Sequence, residues 1–224
     1  MATPPQPAGR RADNVSKRRN AILDAAEGLF AREGIDSVSL RRIGEQAGSL
    51  NHFAVQYHFG SKQELIRAIF ERRLPSLEQR RSLALAHAQS EGRHGDPGAL
   101  MDVLLRPLSL EVNAQGQPSY AAFLLSLHHH GAFDRRSEAS ALSPLTSQIA
   151  QLLHAANTGI DPLLSGLRLK SVFAMFLDAL VQLDRHPATK ALSAPSKAAL
   201  LTDAVHMATA AYIMKPGTPG LTIG

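Results

Sequence analysis

The chain is 224 residues long and 44% hydrophobic, which allows a substantial core in one mid-sized domain or two small ones. It contains no cysteine, so disulfides, thiolate metal sites and thiol redox switches are excluded, and the cytoplasm is the simplest compartment. Its net charge of +5 is placed unevenly: residues 1–81 hold 14 Lys and Arg against 9 Asp and Glu, whereas residues 82–224 hold 10 of each, so the basic excess belongs to the first third of the chain.

The N-terminal MATPPQPAGRRADN is basic but has no apolar segment, so residues 1–14 are expected to form a disordered arm rather than a secretory signal. From Val15 to Glu33, the residues Ile22, Ala26, Leu29 and Phe30 recur at i, i+4, i+7 and i+8, the stripe of an amphipathic helix that Gly34 stops. Ser39 is placed to cap a second, short helix, with Val38 and Ile43 as a hydrophobic staple and Leu40, Ile43 and Ala47 as its apolar face. Gly48 and Ser49 make a tight turn, and a third short helix is predicted over residues 51–59. Gly60 ends it without a Cβ penalty, and Ser61 with Glu64 forms the S-x-x-E capping box of a long helix. Lys62 stands at that helix start, where the dipole disfavours a cation unless a polyanion approaches. Two short helices across a Gly turn, braced by a longer first helix, make a helix-turn-helix over residues 15–60.

The run RRNAILDAAEGLFAREGIDSVSLRRIGEQAG, followed by VQYHFGSKQELI, resembles the TetR family of one-component bacterial transcriptional regulators. One spacing departs from the family pattern, which has about eight residues between the Ala-Gly of the turn and the His-Phe. Here nine residues, Ser49 to Tyr57, fill the gap between Gly48 and His58, so the turn or the start of the reading helix must absorb one more. The resemblance implies a sequence-specific regulator of double-stranded DNA, in most members a repressor, released from a palindromic operator by a small-molecule effector.

Beyond the head, a long helix from Ser61 is expected to break or kink at Pro75 and resume through Leu77, Leu83 and Leu85 to Ser90. After a loop from Glu91, a helix from Pro97 to about Val112 bends at Pro107. Tyr120, Phe123, Leu124 and Leu127 mark the next helix, ended by Gly131, and Ser143-Pro144 opens another to Ala156. Val172, Met175, Phe176, Ala179, Leu180 and Leu183 then follow a helical period, with Leu169, Phe173 and Leu177 on a second side; Leu201, Ala204, Val205, Ala208, Ala211 and Tyr212 repeat the theme. There is no strand pattern and no internal repeat. The expected fold is all-α with about nine helices: the head, a ligand-binding and dimerisation body over residues 61–214, and a flexible tail over 215–224. No run is long and apolar enough for a membrane span, so no membrane partner is expected.

A helix apolar on more than one side is either buried or shared with another subunit. The resemblance implies that the helices at about 163–186 and 195–214 pair in a homodimer, and a helix-turn-helix dimer reads two half-sites of matching symmetry. The alternative is that both helices only close the monomer core.

Gln56 and Asn51 are candidate base readers, because an amide pairs bidentately with adenine N6 and N7. His52 and Phe53 are candidates for base edges or a thymine methyl, and the resemblance assigns Tyr57, His58 and Lys62 to phosphates. Ser39 and Arg41 are placed for backbone contacts, and Arg10, Arg11, Lys17, Arg18 and Arg19 for phosphates or a minor groove. Phe59 reads as a core plug. For the pocket that the resemblance implies, candidate linings are Met101, Leu104, Leu105, Leu108, Phe123, Leu127, Phe173 and Phe176, with His128 orienting a polar group; ordinary core packing also explains each. His128, His129 and His130 are consecutive and point in directions roughly 100° apart, so they make no helical metal pair. Arg106 and Arg168 are weighed against an acidic ligand, with a salt bridge as the ordinary alternative. No nucleophile elbow, Walker A, dinucleotide fingerprint or metalloprotease motif is present, so neither a cofactor nor catalysis is expected. Two other classes stay open: an all-α enzyme, and an architectural DNA binder governed by electrostatics alone.

Overall fold

The computed structural model describes residues 8–49, 53–129 and 143–216, and among them there are helices and no strand. The helices are α1 (Ala8–Glu33), α2 (Leu40–Gln46), α3 (Ala54–Phe59), α4 (Lys62–Ser90), α5 (Pro97–Leu105), α6 (Ser119–His129), α7 (Pro144–Ala156), α8 (Pro162–Arg185), α9 (Pro187–Lys190) and α10 (Ala194–Ile213), with a 3-10 turn, Arg106–Leu110, after α5.

The head follows its apolar stripe. Ile22, Ala26, Leu29 and Phe30 are buried on α1 and meet Ile43, Val55 and Phe59 from α2 and α3. The Ser39 hydroxyl accepts the Arg42 N–H at 3.2 Å, and both staple residues, Val38 and Ile43, are fully buried. Helix α1 begins at Ala8, inside the segment expected to be a disordered arm. After Pro7 only Gly9 opposes helix, and extending a helix that has already nucleated costs little.

The junction between α3 and α4 is tighter than a left-handed cap. Gly60 sits at φ 73° and ψ −55°, and the Ser61 N–H donates to the Phe59 carbonyl at 2.8 Å, which is a γ-turn. The capping box is therefore half made: the Ser61 hydroxyl accepts the Glu64 N–H at 3.1 Å, while Ser61's own N–H is committed to the turn.

At the prolines, the break expected at Pro75 does not occur and the bend expected at Pro107 is a change of helix type. Helix α4 runs unbroken through Pro75, because burial of Leu74 and Leu77 at about 2 kcal/mol each offsets a proline penalty of about 3 kcal/mol. Pro107 does more than bend its helix, for the α-helix stops at Leu105 and a 3-10 turn follows. Leu83, expected on the apolar side of α4, is exposed.

In the body, α6 lies between α1 and α8, α8 packs on α10, and α10 packs on α5, which in turn meets α4 and α7. Where α1, α4 and α6 meet, the Glu27 carboxylate is 2% exposed. It accepts from Arg73 at 2.6 and 3.0 Å, from Arg72 at 3.0 Å and from the Ser119 hydroxyl at 2.5 Å. Burial would raise its pKa, but the hydrogen bonds from Arg73 and Ser119 and the charges of both arginines outweigh that and hold it below the ordinary value.

Two stability outcomes follow. Gly60→Ala meets no atom within 4 Å, so its cost is conformational alone, about 1–3 kcal/mol by urea unfolding; an unchanged midpoint contradicts the γ-turn. Glu27→Gln is expected to lose about 3 kcal/mol at neutral pH, because it leaves Arg73 buried against a neutral amide. A depressed carboxyl contributes fully above its unfolded pKa, so the gap to wild type narrows as pH falls below 4.5; a gap constant from pH 7 to 3 contradicts the assignment.

Candidate nucleic-acid interface and regulatory cavity

Helix α3 is only six residues long and divides sharply. Val55 and Phe59 are buried in the head, while Gln56 is exposed, Tyr57 is 85% exposed and Phe53, just before the helix, is 71% exposed. His58 is half-buried and stands edge-on to Tyr57, with ring centroids 5.3 Å apart. Large aromatic groups left in water beside a basic surface are placed for contact rather than for packing. Asn51 and His52 lie outside the described residues, as does the part of the turn that would accommodate the additional residue.

The surrounding cations have different local tasks. Lys17 and Arg18 are exposed on α1. The Arg19 guanidinium lies 5.2 Å from the centroid of the Phe59 ring, so it braces α3 from behind. Arg41 is exposed and pairs with Glu45 at 2.9 Å; Ser39, also exposed, caps α2. The Lys62 ammonium donates to the Ile35 carbonyl at 2.8 Å, which ties the start of α4 to the loop between α1 and α2. That bond explains a cation at a helix N-terminus without DNA, and it uses one of three N–H donors. Arg10 and Arg11 belong to the first turns of α1, and their side chains lie outside what is described.

A second site sits in the body. A cavity of about 380 Å³ opens between α4, α5, α6, α7 and α8, within the size range of small-molecule pockets. Four of the nine sequence candidates, Leu104, Leu108, His128 and Phe173, line it. The other five, Met101, Leu105, Phe123, Leu127 and Phe176, are buried in the packed core instead, because neighbours on one apolar stripe point about 100° apart and only one side of each helix faces the cavity. The walls add Phe70, Leu74, Leu77 and Arg81 from α4, Tyr120 and Leu124 from α6, Ser143, Thr146 and Ser147 near the start of α7, and Leu169 and Lys170 from α8.

Arg81 is the residue that pattern reading missed. It is 2% exposed, and its Nε and Nη2 donate to the Leu104 carbonyl at 3.1 and 2.8 Å, while Nη1 donates to Thr146 Oγ1 at 2.6 Å. The sequence signal is Pro107: without an N–H it cannot serve the carbonyls of the preceding turn, and Arg81 supplies donors there. Burial pushes the Arg81 guanidinium down to about 10, which leaves it charged at neutral pH. Burial, with His129 and Lys170 nearby, lowers His128, so its ring is neutral there. Arg106 pairs with Asp102 at 2.6 Å, and Arg168 closes the end of α10 through the carbonyls of Tyr212, at 3.0 Å, and Met214, so both are committed elsewhere. Among the described residues no three His, Asp or Glu side chains gather as a metal site, and no helix is long and apolar enough to cross a membrane.

The cavity wall touches the head through aromatic rings. Phe70 and Tyr120 lie 5.8 and 6.1 Å from Phe123, and Phe123 lies 6.1 Å from Phe30 of α1. Arg73, which holds Glu27, lies 5.8 Å from the Tyr120 ring centroid.

Comparison with known proteins agrees with this geometry. The family profile described as bacterial regulatory proteins, tetR family, matches residues 22–69, which run from α1 through the helix-turn-helix into α4. The HTH-type transcriptional repressor Rv1474c of Mycobacterium tuberculosis is 33% identical over 95 residues, 42% of this chain and 45% of that one. The HTH-type transcriptional repressor KstR2 of the same species is 35% identical over 57 residues, 25% of this chain and 28% of its own length. The chain thus spans under half the length of the curated relatives it matches. The structure of NalD, the secondary repressor of the MexAB-OprM multidrug efflux pump in Pseudomonas aeruginosa, superposes with a TM-score of 0.50 at 19% identity, over 88% of this chain and 97% of that one, and so shares the fold. Residues 22–69 of the chain are thus similar to the TetR family of bacterial regulatory proteins.

Proposed function

We propose that this protein is a sequence-specific DNA-binding transcriptional repressor that acts as a homodimer and is released from a palindromic operator by a small molecule bound in the cavity of the body. The observation that carries the reading is the division of α3, with Val55 and Phe59 buried and Phe53, Gln56 and Tyr57 turned to solvent on the basic third of the chain. In this reading Gln56 reads a base edge, Tyr57 and His58 contact the backbone, and the two remaining donors of Lys62 reach a phosphate. Ser39, Arg41, Lys17 and Arg18 add backbone contacts around the groove.

Support for pairing comes from the last two long helices. Leu163 and Leu167 are exposed one turn apart on α8, and Leu200 and Met207 are exposed two turns apart on α10. Helices α8 and α10 pack on each other, so these groups offer a second copy a joint apolar face. Release follows from the aromatic path Tyr120–Phe123–Phe30 and from the Arg185 guanidinium at the end of α8, which donates to the Ala31 carbonyl of α1 at 3.1 Å. An occupant that favours one packing of α4, α6 and α8 changes the spacing of the two heads, and only that preference, not affinity alone, shifts the balance.

Fluorescence anisotropy with operator DNA tests the residue roles. Gln56→Ala is expected to cost about 1–3 kcal/mol at one base position and to leave non-specific binding unchanged. Lys62→Ala is expected to weaken every sequence and to reduce the salt slope by about one; an unchanged slope restricts Lys62 to its Ile35 bond. Sedimentation tests the pairing: wild type is expected to run as a dimer at micromolar concentration, and Leu167→Glu with Met207→Glu as a folded monomer with little operator affinity. A wild-type monomer contradicts the proposed interface.

A further inference from the structure

We propose that the cavity binds a small organic anion, a carboxylate or similar monoanion on an apolar body, with its charged end at Arg81 and Lys170 and its body between Phe70, Leu108 and Phe173. The proposal rests on the reading of this cavity as a ligand site and names the chemical class of its occupant.

The charged side chains on the described walls are cationic. Arg81 and Lys170 both line the cavity, and no Asp or Glu does so among the described residues. The carboxylate near Arg81 is Glu78, 3.8 Å from Nη1. Its oxygens already accept the Leu145 N–H at 3.0 Å and the Ser143 and Thr146 hydroxyls at 2.6 and 3.4 Å. Glu78 is therefore the cap of α7, and its charge is shared between that helix start and Arg81. Residues Ser143, Thr146 and Ser147 bring the same end of α7 to the cavity, which adds the positive end of a helix dipole to two full cations.

Arg81 has more donors, and more charge, than its structural bonds use. Its bonds to Leu104 O and Thr146 Oγ1 require donors, not a charge. They take three of the five N–H groups of a guanidinium, which leaves one on each terminal nitrogen, a spacing that suits a carboxylate. A buried guanidinium whose counter-charges, Glu78 and the more distant Glu111, are shared with other partners is costly, and an incoming anion lowers that cost. A cationic occupant would meet Arg81 and Lys170, with no carboxylate among the described lining residues to answer it. The remaining wall is largely apolar, which selects a hydrocarbon or aromatic body over a free phosphate or other fully hydrated anion.

Calorimetric titration of the full-length protein, without DNA, separates these possibilities. Two series share a body and differ only at the end group: decanoate, decanamide and decylamine; and 4-phenylbutyrate, 4-phenylbutyramide and 4-phenylbutylamine. In at least one series the carboxylate is expected to bind about tenfold or more tightly than the amide, and the amine more weakly still. Arg81→Met is expected to abolish that preference, so that carboxylate and amide bind alike. Lys170→Gln, on the less buried wall, is expected to reduce the preference with helical content and melting temperature retained, which keeps the test decisive if Arg81→Met does not fold. If in neither series the carboxylate binds more tightly than its amide and amine, the proposal is overturned, as it is if neither carboxylate binds. DNA is absent from the titration, so these outcomes bear on the cavity alone, whereas loss of operator recognition would bear on the head.

Discussion

The Glu27 carboxylate holds the molecule's two halves in register. It sits on α1, the helix that supports the helix-turn-helix head, yet its partners come from α4 and α6 of the body. A buried carboxylate keeps its charge only while those partners stay in place, so the head cannot turn away from the body without exposing an unpaired ion. Packing reinforces the constraint, since Phe30 of α1 stacks against Phe123 of α6. Under the proposed function this rigidity lets a change at the cavity displace the head rather than be absorbed by a loose hinge.

The head itself is built for precision at small size. A six-residue helix has little stability of its own, so α3 is held by burial of Val55 and Phe59, by Arg19 over the Phe59 ring and by the γ-turn at Gly60. Lys62 then fastens the following helix to the Ile35 carbonyl. These contacts lie behind the surface that carries Gln56 and Tyr57, and they leave that surface free of packing duties. Rigid support behind an exposed reading face is what a groove contact of fixed register requires.

Local features of this chain were legible before its structure. The Ser39 cap, the Val38–Ile43 staple and the α1 stripe depend on spacings of three or four residues, where helical periodicity determines the outcome. What escaped depends on partners far along the chain. Arg81 is defined by Leu104 and Thr146, 23 and 65 residues away, and Tyr120 by Arg73 and the cavity wall. A cavity is space between helices, so a stripe predicts which residues leave water but not which of them face a void. Phe173 lines the cavity and Phe176 fills the core, although both belong to the same apolar helix. The unbroken α4 and the early start of α1 are cases in which burial or helix propagation overrode a local breaker.

The central claim is that two copies of the α3 face read one duplex with twofold symmetry. Selection of bound fragments from random double-stranded DNA at moderate ionic strength, followed by sequencing, measures this most directly. The account predicts enrichment of one inverted repeat whose half-sites are separated by a fixed spacing. Recovery of fragments with no shared motif, or of a single unrepeated half-site, would contradict it.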